Sequence, residues 1–142
     1  MTPTPLVIDT NCVLDVWVFQ DPAAAALRHA LLAQRVRWLA TAAMRAELAR
    51  VLGYPQIAKR LAPHGPPARE VLAAFDRHAM LTGPAPSTPV RCRDPDDQCF
   101  IDLAVAHRAQ LISKDARVTG LARRLAPLGV RVQRVWTPVA NT

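Results

Sequence analysis

The chain has 142 residues, 51% of them hydrophobic, with 18 basic against 11 acidic side chains and a formal net charge of +7. That length and apolar share predict one domain over 1–142 that buries a core without disulfides or a structural metal. No uninterrupted apolar run approaches membrane-spanning length, which argues against a membrane protein.

In chain order, Leu6 to Asp9 reads as a buried strand, and Thr10 or Asn11 can cap a helix over roughly Cys12 to Phe19. Asp21-Pro22 opens a second helix through about Gln34, with Asp as N-cap and Pro at the first helical position. Arg37 to Thr41 is the next strand. Thr41 caps a helix over Ala42 to Leu52, which Gly53 and Pro55 end. Gln56 to Leu61 and Ala68 to Leu81 read as further helices, and Gly83 to Arg93 as a proline-rich loop holding at most one short strand. Asp94 or Asp96 caps a helix over Asp97 to Arg108. Leu111 to Ser113 is a strand, Ala116 to Leu125 a helix, and Val130 to Val135 a last strand. Strands alternating with helices predict a three-layer α/β/α sandwich with a mainly parallel sheet. There is no internal repeat, low-complexity segment or linker-like boundary.

The three cysteines, Cys12, Cys92 and Cys99, form no C-x-x-C and leave one unpaired, which argues against a disulfide framework. Met1 to Pro5 lack the basic and apolar regions of a signal peptide. The expectation is a soluble, cytoplasmic protein in a reducing compartment. Its positive charge is sixteen Arg against Lys59 and Lys114. Guanidinium forks suit phosphate and stack on bases, so a nucleic acid is one reading of the basic balance. The Arg-over-Lys, Ala-rich and Pro-rich usage of a GC-rich genome accounts for it equally well.

Four acids stand where strands of a parallel sheet end or helices begin. Asp9 closes Leu6-Val7-Ile8, Glu47 follows Trp38-Leu39-Ala40-Thr41, Asp97 opens an amphipathic stretch, and Asp115 follows Leu111-Ile112-Ser113. Ligand sites of open α/β sheets lie beyond the carboxyl ends of the strands, so these acids are expected in one crevice. Two carboxylates about 4 Å apart at an effective dielectric of roughly 20 repel by about 4 kcal/mol. Such a cluster needs a proton or a cation. Oxygen-only ligands favour Mg2+ or Mn2+, and no His or Cys stands beside these acids at zinc spacing.

The run Val7-Ile8-Asp9-Thr10-Asn11-Cys12-Val13-Leu14 resembles the opening of the PIN-domain nucleases. Arg93-Asp94-Pro95-Asp96-Asp97, followed by Leu111-Ile112-Ser113-Lys114-Asp115, resembles their closing motifs. The resemblance implies a PIN-like fold in which Asp9, Glu47, Asp97 and Asp115 hold one or two Mg2+ or Mn2+ ions. It also implies that Asn11 ties down the first loop by hydrogen bonds and that the Ser113 hydroxyl sits at the rim near the metal. The nearest branch resembles the toxins of bacterial toxin-antitoxin pairs, which implies an RNA substrate and a small antitoxin partner; a homo-oligomer is compatible with it.

Other polar residues have plainer readings. Asp94 and Asp96 suit a turn and a helix cap, although Asp94 can also hydrogen-bond a metal-bound water. Asp102 lies about 140° around the helix from Asp97 and is expected in solvent or a salt bridge. Asp15 reads more readily as helix surface than as crevice lining. The four His are scattered on helix surfaces and a loop, and side-chain nucleophilic catalysis has no candidate. Trp17, Trp38 and Trp136 are too dispersed for a stacking platform.

The favoured expectation is therefore a metal-dependent ribonuclease that uses water and leaves a 5'-phosphate and a 3'-hydroxyl. The alternative is a catalytically weak PIN-like nucleic-acid-binding or assembly module, against which the complete acidic quartet argues. A phosphatase with an aspartyl nucleophile wants a second Asp two residues on, where Asn11 stands.

Overall fold

Leu6, Val7 and Ile8 are successive residues of one strand and all are buried, with exposures of 0%, 0% and 3%. Neighbouring strand residues point to opposite sides of a sheet, so this burial requires cover on both faces. The computed structural model, which describes residues 3–138, supplies it with helices on a five-stranded parallel sheet.

The strands are β1 (Thr4–Ile8), β2 (Val36–Ala40), β3 (Ala79–Leu81), β4 (Gln110–Ile112) and β5 (Val132–Gln133). Their order is β3-β2-β1-β4-β5, and every pairing is parallel. The chain winds outward from β1 in one direction through β2 and β3, then restarts on the other side of β1 with β4 and β5. The switch point lies between β1 and β4, where a crevice opens beyond the strand ends. This is the expected α/β/α sandwich, with eight α-helices among the described residues.

Three of these helices and the loop before one of them frame that crevice. Helix α1 (Thr10–Trp17) starts directly after β1 and buries Cys12, Val13, Leu14, Val16 and Trp17. Helix α2 (Ala25–Leu32) precedes β2, and between β2 and β3 lie α3 (Ala42–Val51), α4 (Pro55–Ala58) and α5 (Ala68–His78). Helix α6 (Gln98–His107) packs on β1, and its Ile101, Leu103 and Ala104 are fully buried. Helices α7 (Ala116–Thr119) and α8 (Ala122–Leu125) follow β4. Trp38 of β2 meets Phe75 of α5 edge to face, ring centroids 5.0 Å apart, which locks α5 to the sheet.

Several boundaries differ from the sequence reading. The helix expected through Leu81 ends at His78, and Ala79–Leu81 is the edge strand β3. Its pairing with Trp38–Ala40 of β2 replaces helical hydrogen bonds that local sequence alone favours. The helix expected from Pro22 to Gln34 is a 3-10 turn, Pro22–Ala24, capped by Asp21 and followed by α2. The stretch 116–125 is two short helices divided around Gly120. The Gly83 to Arg93 segment, in agreement with the expectation of at most one short strand, contains none.

Trp17, Trp38 and Trp136 are all buried, in keeping with core roles. All three cysteines are free. No helix among the described residues is long and apolar enough to cross a membrane.

Candidate metal centre

Asp9 stands one residue beyond β1, and its backbone N–H donates to the Ile112 carbonyl at 3.0 Å, so the β1–β4 pairing continues to it. Its Oδ1 accepts from the backbone N–H of Cys12 at 2.9 Å and so caps α1. The residue is 5% exposed, held by the sheet on one side and by the helix start on the other. Thr10 is the first residue of α1 rather than its cap. Its hydroxyl donates to Glu47 Oε2 at 3.1 Å, bridging α1 to α3.

Asp97 is the residue before α6, and its carbonyl accepts from the Phe100 N–H at 3.2 Å. Asp115 precedes α7, where its Oδ1 accepts from the Arg117 N–H at 2.8 Å. Below it the Ser113 hydroxyl accepts from the Asp115 N–H at 3.2 Å. Asp94 forms a turn in which Oδ1 accepts from the Asp96 N–H at 2.9 Å, while its Oδ2 lies 3.2 Å from Arg117 Nη2.

These placements bring Asp9, Glu47, Asp97 and Asp115 to one cleft of about 80 Å³, with Thr10, Asn11, Val51 and Phe100 completing its wall. That is space for an ion and several waters. Ligand atoms of Asp94, Asp97 and Asp115 lie within 4.8 Å of one another. Asp97 Oδ2 is buried and has no hydrogen-bond partner. A buried carboxylate oxygen without a partner is costly, and an oxygen-only set around it suits a hard divalent cation. The residues therefore fit such an ion.

Electrostatics separate the acids. Burial pushes the Asp97 carboxyl up to about 7, reinforced by hydrogen bonding with and repulsion from Asp115 and by the charges of Asp94 and Asp9. Asp115 is held at about 2, chiefly by hydrogen bonds from the Arg117 side chain and backbone. Burial also raises Glu47, against the opposing hydrogen bond from Thr10. One proton is thus retained near neutral pH by a pair that titrates together.

Three expected roles change. Ser113 is 0% exposed, so its hydroxyl supports the Asp115 backbone from within the core instead of lining the rim. Asn11 lines the cleft, but among the described residues its side chain makes no hydrogen bond; the Asp9 cap and the Thr10–Glu47 bond secure the first loop instead. Asp102 does not stand free in solvent. Its Oδ1 accepts from the Thr88 N–H at 3.1 Å and from Gln98 Nε2 at 2.9 Å, so it fastens the proline-rich loop to α6.

Asp94 forms the expected turn, and its hydrogen bond to a metal-bound water stays a proposal; its ligand atom lies in the acid cluster. Asp15 pairs with Lys114 and lines a different pocket. The reading from sequence missed Thr10 and Arg117. The Arg117 guanidinium contacts Asp115 Oδ2 at 2.9 Å as well as Asp94. Only its spacing of two residues from Asp115 hinted at this.

Among comparisons with known proteins, a family model described as PIN domain matches residues 5–117. No curated protein matches the chain.

Proposed function

Because the chain belongs to the PIN-domain family, whose members are generally nucleases, we propose that it is a Mg2+- or Mn2+-dependent endoribonuclease, acting in the cytoplasm as the toxin of a toxin-antitoxin pair. The observation that carries the nuclease reading is the convergence of Asp9, Glu47, Asp97 and Asp115 on one small cleft, with Asp97 Oδ2 buried and unpartnered.

Asp9, Glu47, Asp97 and Asp115 would hold the cation, with Asp94 beside them through its place in the acid cluster. When bound, the ion supplies a Lewis acid that makes water a better nucleophile at neutral pH and offsets charge on the phosphoryl and leaving oxygens. The protein's own contribution is orientation. Asp9 is fixed by its cap and by β4, and Asp115 by Ser113 and Arg117. Glu47 is half-buried and raised, which suits a group that accepts a proton from attacking water, and Thr10 directs its carboxylate. Asp97 would have to be deprotonated to serve as a ligand.

The test is incubation of end-labelled single-stranded and structured RNAs with the protein in chelator, Mg2+ or Mn2+, beside an Asp9→Asn control. Metal-dependent fragments with 5'-phosphate ends, absent from the control, are expected. Fragments bearing 2',3'-cyclic ends would overturn the reading. For the toxin role, expression without an antitoxin should arrest growth and reduce intact RNA; unchanged growth with folded protein present counts against it.

A further inference from the structure

The proline-rich loop before α6 is built rather than loose. The buried Gln98 side chain accepts from the Cys92 N–H at 2.6 Å and donates to the Val90 carbonyl at 2.9 Å and to Asp102. Asp102 in turn accepts from the Thr88 N–H. Three backbone positions of the loop are thus fastened to the first turns of α6, and Thr88 and Val90 are buried.

This anchoring sets Arg91 and Arg93 opposite α7 and α8. With Arg117 and Arg124 they line a groove of about 480 Å³, closed by Ala116, Gly120 and Leu121. All four arginines are exposed. Only Arg117 is ion-paired; among the described residues Arg91, Arg93 and Arg124 have no carboxylate partner. Arg91 reaches only the Thr88 carbonyl, at 3.5 Å. Like charges gathered without counter-charges repel one another, so the arrangement favours an incoming anion.

Arg117 joins this groove to the acid cluster, since its guanidinium contacts Asp94 and Asp115. We infer that Arg91, Arg93, Arg117 and Arg124 form a binding groove for the phosphate backbone of a single-stranded nucleic acid, holding phosphates next to the scissile one while the strand enters the acidic cleft. The groove is the larger of the two spaces, about 480 Å³ against about 80 Å³ for the cleft. Guanidinium forks bind phosphate oxygens in pairs, and Gln98 and Asp102 act as positioning residues by holding the loop. The inference rests on the nuclease reading for the direction of the strand but not for the binding itself.

The test uses the whole chain in chelator, so that nothing is cut, with a fluorescent single-stranded RNA ten-mer followed by anisotropy at several salt concentrations. Arg91→Ala, Arg93→Ala and Arg124→Ala should each weaken binding about equally across unrelated sequences and lower the salt slope by about 0.7 to 1. Arg69→Ala, outside the groove, is the reference. Circular dichroism checks that each variant is folded, which exposed arginines without ion pairs should not disturb.

No binding by the parent protein would overturn the inference, as would three groove variants that bind like it. An equal loss in Arg69→Ala would show a diffuse charge effect and overturn it too. Stronger binding of an oligoglutamate peptide of equal charge would overturn it in favour of an acidic protein partner. Retained groove binding by a protein that cleaves nothing in Mg2+ or Mn2+ would support the groove while sinking the nuclease reading.

Discussion

The Thr10 hydroxyl donates to Glu47 Oε2 at 3.1 Å across 37 positions of sequence, tying the start of α1 to the middle of α3. That bond lowers the proton affinity of a carboxylate that burial raises. Thr10→Val removes the donor and keeps the shape. It should cost about 1 kcal/mol of stability and weaken Mn2+ binding at pH 7 several-fold by calorimetry. Unchanged metal affinity would remove Glu47 from the ion site.

Asp9 carries two separable functions, helix cap and candidate ligand. Asn caps about as well as Asp, so Asp9→Asn should stay within about 0.5 kcal/mol of the parent, whereas Asp9→Ala should lose about 1 kcal/mol. Both should lose cleavage by orders of magnitude, because a misplaced cation and water forfeit alignment. Denaturant unfolding and RNA cleavage on the same samples check this. Normal cleavage by Asp9→Asn would sink the quartet.

Asp97 sets a pH dependence. Its folded pKa of about 7 exceeds the ordinary 3.8, so between those values the metal-free fold holds a proton that the unfolded chain releases. Its contribution to stability is full below about 3.8 and is lost as pH rises through about 7. Melting temperature in chelator should therefore fall from pH 5 to 8 more steeply for the parent than for Asp97→Asn. Cation affinity runs the other way, rising over the same window because binding displaces that proton. Parallel melting profiles for the two proteins would refute the assignment.

Asp102 is a structural acid, so its substitution is not neutral. Asp102→Ala leaves the Thr88 N–H and one of the two Gln98 Nε2 hydrogens without an acceptor, at a cost of about 1–3 kcal/mol, while the bond from Gln98 to the Val90 carbonyl remains. Limited proteolysis should then cut within 83–92 faster than in the parent. Asp102→Asn, which keeps one acceptor oxygen, should be milder. Parent-like stability and proteolysis in Asp102→Ala would show that the loop is held by other contacts.

Local sequence carried most of the frame. The apolar runs Leu6-Val7-Ile8, Trp38-Leu39-Ala40 and Leu111-Ile112 are strands, and Thr41 caps α3 as expected, its hydroxyl accepting from the Met44 N–H. The placement of Asp9, Asp97 and Asp115 at element starts and strand ends was legible for the same reason, whereas Glu47 reaches the cleft from the middle of α3. A parallel sheet delivers the ends of its strands to one side, and short spacings from those ends fix where an acid lands.

Only the tertiary structure decided what depends on partners distant in sequence. Ala79–Leu81 leaves the helical pattern because β2 offers an edge for pairing. Asp102 looked solvent-facing by helical angle, but the angle is silent about a proline-rich loop that folds back over it. Ser113 is buried and Arg117 meets Asp94 because β4, α7 and that loop converge. Spacing determines which face of an element a residue occupies; packing determines what that face meets, and with it the proton affinity of Asp97 and the counter-charge of Asp115.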